Sequence, residues 1–270
     1  GEIMLNLARG KRENMDQKLR ESGPVLFNKQ IAEGIYHLSV QAPRIAATSR
    51  PGQFVQVKVA SEPPIQFLRM PFAVFDVDES AGSVDVCYQV VGEGTEQLSH
   101  VVIGDEVDFV GPIGNGWHIP DGTRRALLAC GGVGAPALKL LADELAAKGT
   151  QVDVVIGAQT AKRLACTEQF EDSTRASGGA LHVATDDGEA ITDELLATRA
   201  YDYVAVCGPP LMERSVALPA IEHGVTCEVS MERLMACGVG ACLGCVVETR
   251  DGLKRCCVDG PVFDASEVIW

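Results

Sequence analysis

The chain has few aromatic residues, a deficit of positive charge and no long apolar run. Phe, Trp and Tyr make up 5% of its 270 residues, yet 46% are hydrophobic and 22% charged, which is a globular composition and excludes a disordered chain. Lys and Arg number 23 against 37 for Asp and Glu, a formal charge of -14. That excludes the basic face on which nucleic-acid affinity depends. No window reaches the roughly 18 apolar residues of a spanning helix, so no membrane partner is expected. Internal repeats and low-complexity tracts are absent. No Ser/His/Asp arrangement stands out either, and the five histidines are scattered singly, with His118 and His182 read as packing or surface residues. The segment Gly1 to Gly23 mixes charges and offers no uninterrupted apolar core of a secretory leader. It is read as a leader outside the fold, with a start at Met15 fitting as well, and the expected compartment is the reducing cytoplasm.

What the chain has in quantity is sulfur. Of its ten cysteines, Cys237, Cys242, Cys245, Cys256 and Cys257 fall between residues 237 and 257. The length fits two domains of roughly 100–200 residues, or three if one is small.

Residues 24–120 carry antiparallel signals. Val55, Val57 and Val59 alternate with Gln56 and Lys58, and Val84, Val86, Tyr88 and Val90 with Ser83, Asp85, Cys87 and Gln89. Further strands are predicted at Ile35 to Val40, Phe72 to Val77 and Glu106 to Val110, with one short helix near Glu96 to Val102. Turns at Pro51-Gly52, Pro63-Pro64, Ala81-Gly82, Gly104-Asp105 and Gly111-Pro112 divide them. A β-barrel or sandwich follows.

Residues 121–226 change to short, nearly continuous apolar runs, at 126–129, 152–156, 181–184 and 203–206, as strands buried on both faces require. Between the first two lies a helix with Leu138, Leu141, Ala142 and Leu145 on one face, closed by Lys148-Gly149. This is βαβ repetition and a doubly wound sheet, whose ligands sit at the carboxyl ends of the strands. Residues 227–270 form a cysteine-rich tail with a hairpin turning at Asp251-Gly252. A unit that small needs a metal or another staple.

The tail reads Cys237-x4-Cys242-x2-Cys245 with Cys257 beyond eleven further residues, the plant-type 2Fe-2S spacing. Gly238, Gly240 and Gly244 let the loop wrap a cluster and aim N–H groups at its sulfurs. Zinc is the alternative occupant of four thiolates, although its knuckles more often use two C-x2-C pairs. Cys256 and Cys257 are adjacent, so one at most supplies the fourth thiolate. The remaining cysteines, Cys87, Cys130, Cys166, Cys207 and Cys227, read as small buried hydrophobes.

Two loops have nucleotide chemistry. Cys130-Gly131-Gly132-Val133-Gly134-Ala135-Pro136 joins a strand to a helix, bringing a pyrophosphate close to the helix N-terminus. Cys207-Gly208-Pro209-Pro210 ends a later strand the same way, and two concordant loops favour a dinucleotide. In the barrel half, Arg69 offers a guanidinium fork to phosphate. Gly92, Gly94 and Thr95 offer backbone N–H groups at a helix start.

In order, Arg69-x-Pro71-Phe72, Gly92-Glu-Gly94-Thr95, Gly-Pro-Ile-Gly-Asn-Gly (111–116), Cys-Gly-Gly-Val-Gly, Thr185-Asp-Asp-Gly188, Cys-Gly-Pro, Ser230-Met-Glu-Arg-Leu-Met-Ala-Cys237 and Cys257-Val-Asp-Gly-Pro261-Val-Phe263 resemble the electron-transfer subunits of type B dihydroorotate dehydrogenases, in the ferredoxin reductase superfamily. The resemblance runs from about residue 24 to the end. It implies an antiparallel FAD-binding β-barrel, a doubly wound parallel-sheet NAD-binding domain and a small C-terminal 2Fe-2S domain. FAD would be held by Arg69, Pro71, Phe72, Ala73, Tyr88, Gly92, Gly94 and Thr95. NAD(H) would sit at Gly131, Gly132, Gly134, Cys207, Gly208 and Pro209, and the cluster on Cys237, Cys242, Cys245 and Cys257, the last because the family's ligand stands immediately before x-Asp-Gly-Pro. It implies a partner too, an FMN-containing dihydroorotate dehydrogenase catalytic subunit in a heterotetramer. The implied work is an electron relay in pyrimidine biosynthesis, from dihydroorotate through that subunit, the cluster and FAD to NAD+. Alternatives are a ferredoxin:NAD(P) oxidoreductase-type subunit and a zinc-stabilised nucleotide-binding regulator. Cys130 stands where the family usually has Gly, Ala73 where Ser is usual, and the stretch after Gly188 is short. Lys162 and Arg163 are read as a solvated helix start rather than a 2′-phosphate site.

Overall fold

The computed structural model describes residues 18–59, 68–185, 191–198 and 200–270. The expected turn at Pro63-Pro64, Asp186 to Gly188, the short stretch after it and the start at Met15 lie outside those residues. Six antiparallel strands close a barrel: β1 (Leu19–Ala32), β2 (Ile35–Gln41), β3 (Phe54–Val59), β4 (Met70–Asp78), β5 (Ser83–Gln89) and β6 (Glu106–Ile113), in the order β1-β2-β5-β4-β3-β6. Closure removes the free edges. Val55, Val57, Val84 and Val86 fill the interior with Leu38, Val40, Val74 and Phe109, as their period-two placement requires.

Two expectations change here. Leu19 to Gly23 is strand, not leader: it pairs with Gly111 to Val107 of β6, and Asp108 of β6 receives Arg20 at 2.7 Å and Ser22 at 3.1 Å. Charged residues face outward along this stretch, which hides the strand from a hydrophobicity pattern. The short helix spans Glu93–Ser99, ahead of the predicted 96–102. Thr95 Oγ1 accepts the Val91 and Gly92 N–H groups at its start, and past its end the Val102 N–H goes to the Asp105 carboxylate. These side-chain bonds compete with helical ones. This helix is α2, because a single helical turn, α1 (Pro43–Ala46), precedes it.

The second sheet contains β7 (Arg125–Gly131), β8 (Gln151–Ala158), β9 (Leu181–Thr185), β10 (Tyr203–Cys207), β11 (Thr226–Ser230) and β14 (Val262–Asp264), ordered β14-β11-β10-β7-β8-β9. All pair in parallel except β14. The connecting helices are α3 (Pro136–Ala147), α4 (Thr167–Ser177), α5 (Ile191–Thr198) and α6 (Pro210–Glu222). Leu138, Leu141, Ala142 and Leu145 of α3 are buried as expected. The boundary expected at 226/227 does not hold, since β11 and β14 belong to this sheet. Both strands are short, β11 carries Thr, Glu and Ser, and the cysteine-rich stretch lies between them, so neither shows as an apolar run. The cysteine unit is thus an excursion between two strands, and it carries the hairpin β12 (Val246–Thr249) and β13 (Gly252–Arg255), which turns at Arg250-Asp251.

The barrel's outward face is not all solvated. Gln56 of β3 is 2% exposed beneath the cysteine loop, its amide donating to the Ala236 carbonyl at 3.4 Å. Cys87 of β5 is 4% exposed and shares an apolar cluster with Cys130, Cys166 and Phe170 of the second sheet's layer. The linker between barrel and sheet is pinned as well: Glu228 accepts the His118 N–H and the Tyr203 hydroxyl and meets His118 Nδ1 at 2.9 Å, and Trp117 Nε1 donates to the Ala137 carbonyl.

Candidate functional site

Three sites meet where the barrel, the parallel sheet and the cysteine excursion join. At the carboxyl ends of β7, β8 and β10 lies a cavity of about 750 Å³, lined by Gly131, Gly132, Gly134, Gly157, Arg163, Gly208, Pro209 and Glu213 among others. The position is the one expected for ligands of a doubly wound sheet. Gly134 is required by close approach: a Cβ there would stand 2.2 Å from the Cys207 carbonyl oxygen, so only glycine lets the two loops touch. Of the residues predicted for this site, Cys207 alone is displaced, lining the neighbouring cavity instead. Arg163, read as solvated, is exposed but also lines the cavity, donating to Gln159 Oε1 at 2.8 Å.

A second cavity of about 490 Å³ lies against the barrel, lined by Pro71, Phe72, Ala73, Tyr88, Thr95, Val133 and Cys207. Both volumes fall in the roughly 300–1,000 Å³ of small-molecule sites. Tyr88 is 1% exposed; it stacks on Tyr36, its centroid lies 5.5 Å from Phe72, and its hydroxyl donates to Asn28 Oδ1. That gives the cavity a rigid aromatic wall.

Arg69, Gly92 and Gly94 do not line this cavity. Arg69 is clamped by the Asp108 carboxylate at 2.5 Å and donates to the Asp108 carbonyl. Burial alone would push the Asp108 carboxyl up, but the hydrogen bonds from Arg69 and Arg20 outweigh it and hold it below its ordinary value. The Gly92 N–H is consumed by Thr95 Oγ1 at 3.1 Å. Two of the four residues expected to meet phosphate in the barrel, Arg69 and Gly92, are therefore spent on the barrel's own structure. In their place the segment after β11 supplies a wall no motif reading assigned: Met231, Leu234 and Met235 line the second cavity, and Glu232 and Arg233 line both. The available signal was position, since the segment leaves the carboxyl end of a parallel strand.

Four residues beyond Arg233 the chain reaches Cys237. Backbone N–H groups converge on the sulfurs: Val239 and Cys242 donate to Cys237 Sγ at 3.4 Å, Gly244 to Cys242 Sγ at 3.4 Å, and Gly240 to Cys257 Sγ at 3.2 Å. Gly240 has φ +78°, and a Cβ on it would meet Val258 at 2.6 Å. The Val239 N–H first, with the Cys242 N–H, draws the Cys237 thiol down to about 6, so it is thiolate at neutral pH. The thiols stand as two pairs, Cys237 with Cys242 and Cys245 with Cys257. Among the described residues no three metal-ligating groups close on one point. Paired cysteine sulfurs bathed in N–H donors would fit a two-iron cluster, one pair to each iron. The Cys245 and Cys257 pair is buried, whereas Cys242 is exposed. Cys256 is fully buried in the apolar cluster of Phe54, Met231 and Phe263, and burial pushes its thiol up to about 12. Asn115 donates to the Gly260 and Asp259 carbonyls, fastening the exit of the cysteine unit onto the barrel.

Residues 232–269 match the model of the iron-sulfur cluster binding domain of dihydroorotate dehydrogenase B. Over 93% of this chain and 98% of the relative, the sequence is 38% identical to the dihydroorotate dehydrogenase B (NAD(+)) electron transfer subunit of Bacillus caldolyticus. It is 34% identical to that of Clostridium acetobutylicum over 91% of this chain and 95% of the relative. Among solved structures, that of an NADH-dependent reduced ferredoxin-NADP oxidoreductase superposes with a TM-score of 0.82 at 32% identity, covering 92% of this chain and 90% of that one. The FAD/NAD-binding domain of a Vibrio cholerae nitric oxide dioxygenase, 17% identical with a TM-score of 0.63 over 79% of this chain and 98% of that one, shares the fold. No helix among the described residues is long and apolar enough to cross a membrane. With its cysteine unit, its two sheets and nearly its whole length matched, the chain belongs to the family of dihydroorotate dehydrogenase B electron transfer subunits.

Proposed function

We propose that this chain is the electron-transfer subunit of an NAD-linked dihydroorotate dehydrogenase, working in the cytoplasm in pyrimidine biosynthesis, with FAD against the barrel, NAD(H) at the parallel sheet and a 2Fe-2S cluster in the cysteine unit. The observation that carries this reading is the single segment Met231 to Cys237, which walls both cavities and runs directly into the first thiol. Three redox sites in a row need such short connections.

Within that arrangement Pro71, Phe72, Ala73 and Tyr88 form the bed for a flavin ring, and Thr95 shapes the adjoining rim. Gly131, Gly132, Gly134, Gly208 and Pro209 keep the sheet edge low enough for a pyrophosphate to approach. Cys237, Cys242, Cys245 and Cys257 would hold the cluster, and the N–H donors around them offset its negative charge. A bound flavin supplies the exchange between one-electron and two-electron traffic. The buried pair, Cys245 and Cys257, shares its apolar cluster with Phe54 and Met231, which line the flavin cavity. The exposed thiol side carries Leu234, Val239 and Leu243 in solvent, an apolar surface suited to docking an FMN-containing catalytic subunit in a heterotetramer.

The test is anaerobic NAD+ reduction by dihydroorotate with the chain and the FMN subunit combined. Turnover that needs both components bears the reading out. A second reading, a ferredoxin:NAD(P) oxidoreductase-type subunit, draws on the ferredoxin-NADP oxidoreductase structure. Turnover with ferredoxin, and none with the FMN subunit, would establish that one instead.

A further inference from the structure

Glu213 lies in the first turns of α6 and is 1% exposed, yet it lines the 750 Å³ cavity. A carboxyl so deeply buried needs a partner or a proton. Among the described residues the carboxyl's one hydrogen-bond partner is the Gly208 N–H, which donates to Oε1 at 3.2 Å. Gly208 belongs to the turn that touches the Gly131 to Gly134 loop, so the carboxyl braces one wall of the nucleotide cavity from behind. Among the described residues the other charged groups lining the cavity are Glu232 and Arg233, from the segment after β11, and Arg163, from the turn after β8. Cys207, at the end of β10, and its neighbour Cys130, on β7, add only thiols that burial keeps protonated.

We propose that Glu213 is a positioning residue for the nucleotide: as a neutral acid it holds the Gly208 turn and admits the anionic pyrophosphate, and as a carboxylate it repels it. With Glu213 neutral, the three other charged side chains described round the cavity, Arg163, Arg233 and Glu232, leave one net positive charge facing a dianionic ligand. Ionising it removes that excess. Burial, and then the neighbouring Glu232 charge, outweigh the Gly208 N–H and Arg233 and raise the Glu213 carboxyl to about 8. The change therefore falls just above neutrality. The inference rests on the nucleotide reading of the cavity and adds to it a pH-sensitive determinant of binding.

The experiment measures NADH and ADP-ribose dissociation constants of the flavin- and cluster-loaded chain by calorimetry from about pH 6.5 to 9.5, for the wild type, Glu213→Gln and Glu232→Gln. ADP-ribose reports binding without redox chemistry. Wild-type affinity for both ligands should weaken roughly five- to tenfold across this range, the size expected for one added charge in a partly screened cavity. Glu213→Gln, which keeps an acceptor for the Gly208 N–H, should bind as tightly as the wild type at pH 6.5 and stay flat. Glu232→Gln should keep the pH-dependent loss. Binding at pH 6.5 with a flat wild-type profile, or a loss that persists in Glu213→Gln, would overturn the role of Glu213 and leave the nucleotide site standing. No binding of either ligand by any variant at pH 6.5 would overturn the nucleotide site itself, and this inference with it.

Discussion

The cysteine loop and the flavin cavity are neighbours built on opposite plans. Three of the four cluster thiols and all the N–H donors aimed at them lie within residues 237–244 and Cys245, so the site is a property of one loop that Cys257 closes. The flavin cavity takes its walls from β3, β4, β5, α3, the end of β10 and the segment after β11. No stretch of sequence contains it. A local site can be read from spacing, because spacing alone fixes which groups can meet. An assembled site depends on which faces the tertiary fold brings together, and single residues in it can be diverted to structural work, as Arg69 is by Asp108.

The largest effect should come from breaking the local site. Cys257→Ser should abolish the iron content of the purified chain and the visible absorption beyond that of its flavin, whereas Cys256→Ser, altering a thiol sunk in the apolar cluster, should keep both. The reverse result would show that the resemblance misassigned the fourth ligand and would move it to Cys256. Next, Gly134→Ala attacks the assembled architecture at its narrowest point, with a methyl group 2.2 Å from the Cys207 carbonyl. A loss of about 2–4 kcal/mol in unfolding free energy is expected, with weakened NADH binding. A variant as stable as the wild type would show that the two loops need not touch.

The smallest effect should be that of Arg69→Ala. Since Arg69 serves Asp108, flavin content should be unchanged and stability should fall by about 1–2 kcal/mol. The pH dependence has a definite sign. The Asp108 carboxyl is lowered in the folded state, so its contribution is full above the unfolded value of 3.8 and vanishes as pH falls through the lower folded value. The gap between wild type and Arg69→Ala should close in acid. Loss of FAD at neutral pH with no change in the denaturation midpoint would return Arg69 to the phosphate role.

Strands with strong alternation, such as β3 and β5, and the apolar runs of β7, β8, β9 and β10 were legible because burial on one face or on both leaves a distinct period. β1 was missed throughout, its first five residues being read as leader, and β11 was placed in the cysteine unit, because pairing, unlike burial, leaves no period when the outward side chains are charged or the run is short. Gln56 reads as an outward position, and it is buried under the cysteine loop, which lies far away in sequence.

By itself the sequence determined the two sheet types and the strand-to-helix glycine loops, since each is set within a few residues by periodicity or by chain reversal, and its thiol spacing pointed to a cluster while leaving Cys256 and Cys257 both open as the fourth ligand. Only the tertiary structure decided that Arg69 bonds to Asp108 rather than lining the cavity, that residues 231–235 wall the flavin and nucleotide cavities, and that Glu213 is a buried acid at the nucleotide edge. These depend on which side chains the closed barrel and the parallel sheet desolvate together, and desolvation is a property of the assembled surface, not of any segment that forms it.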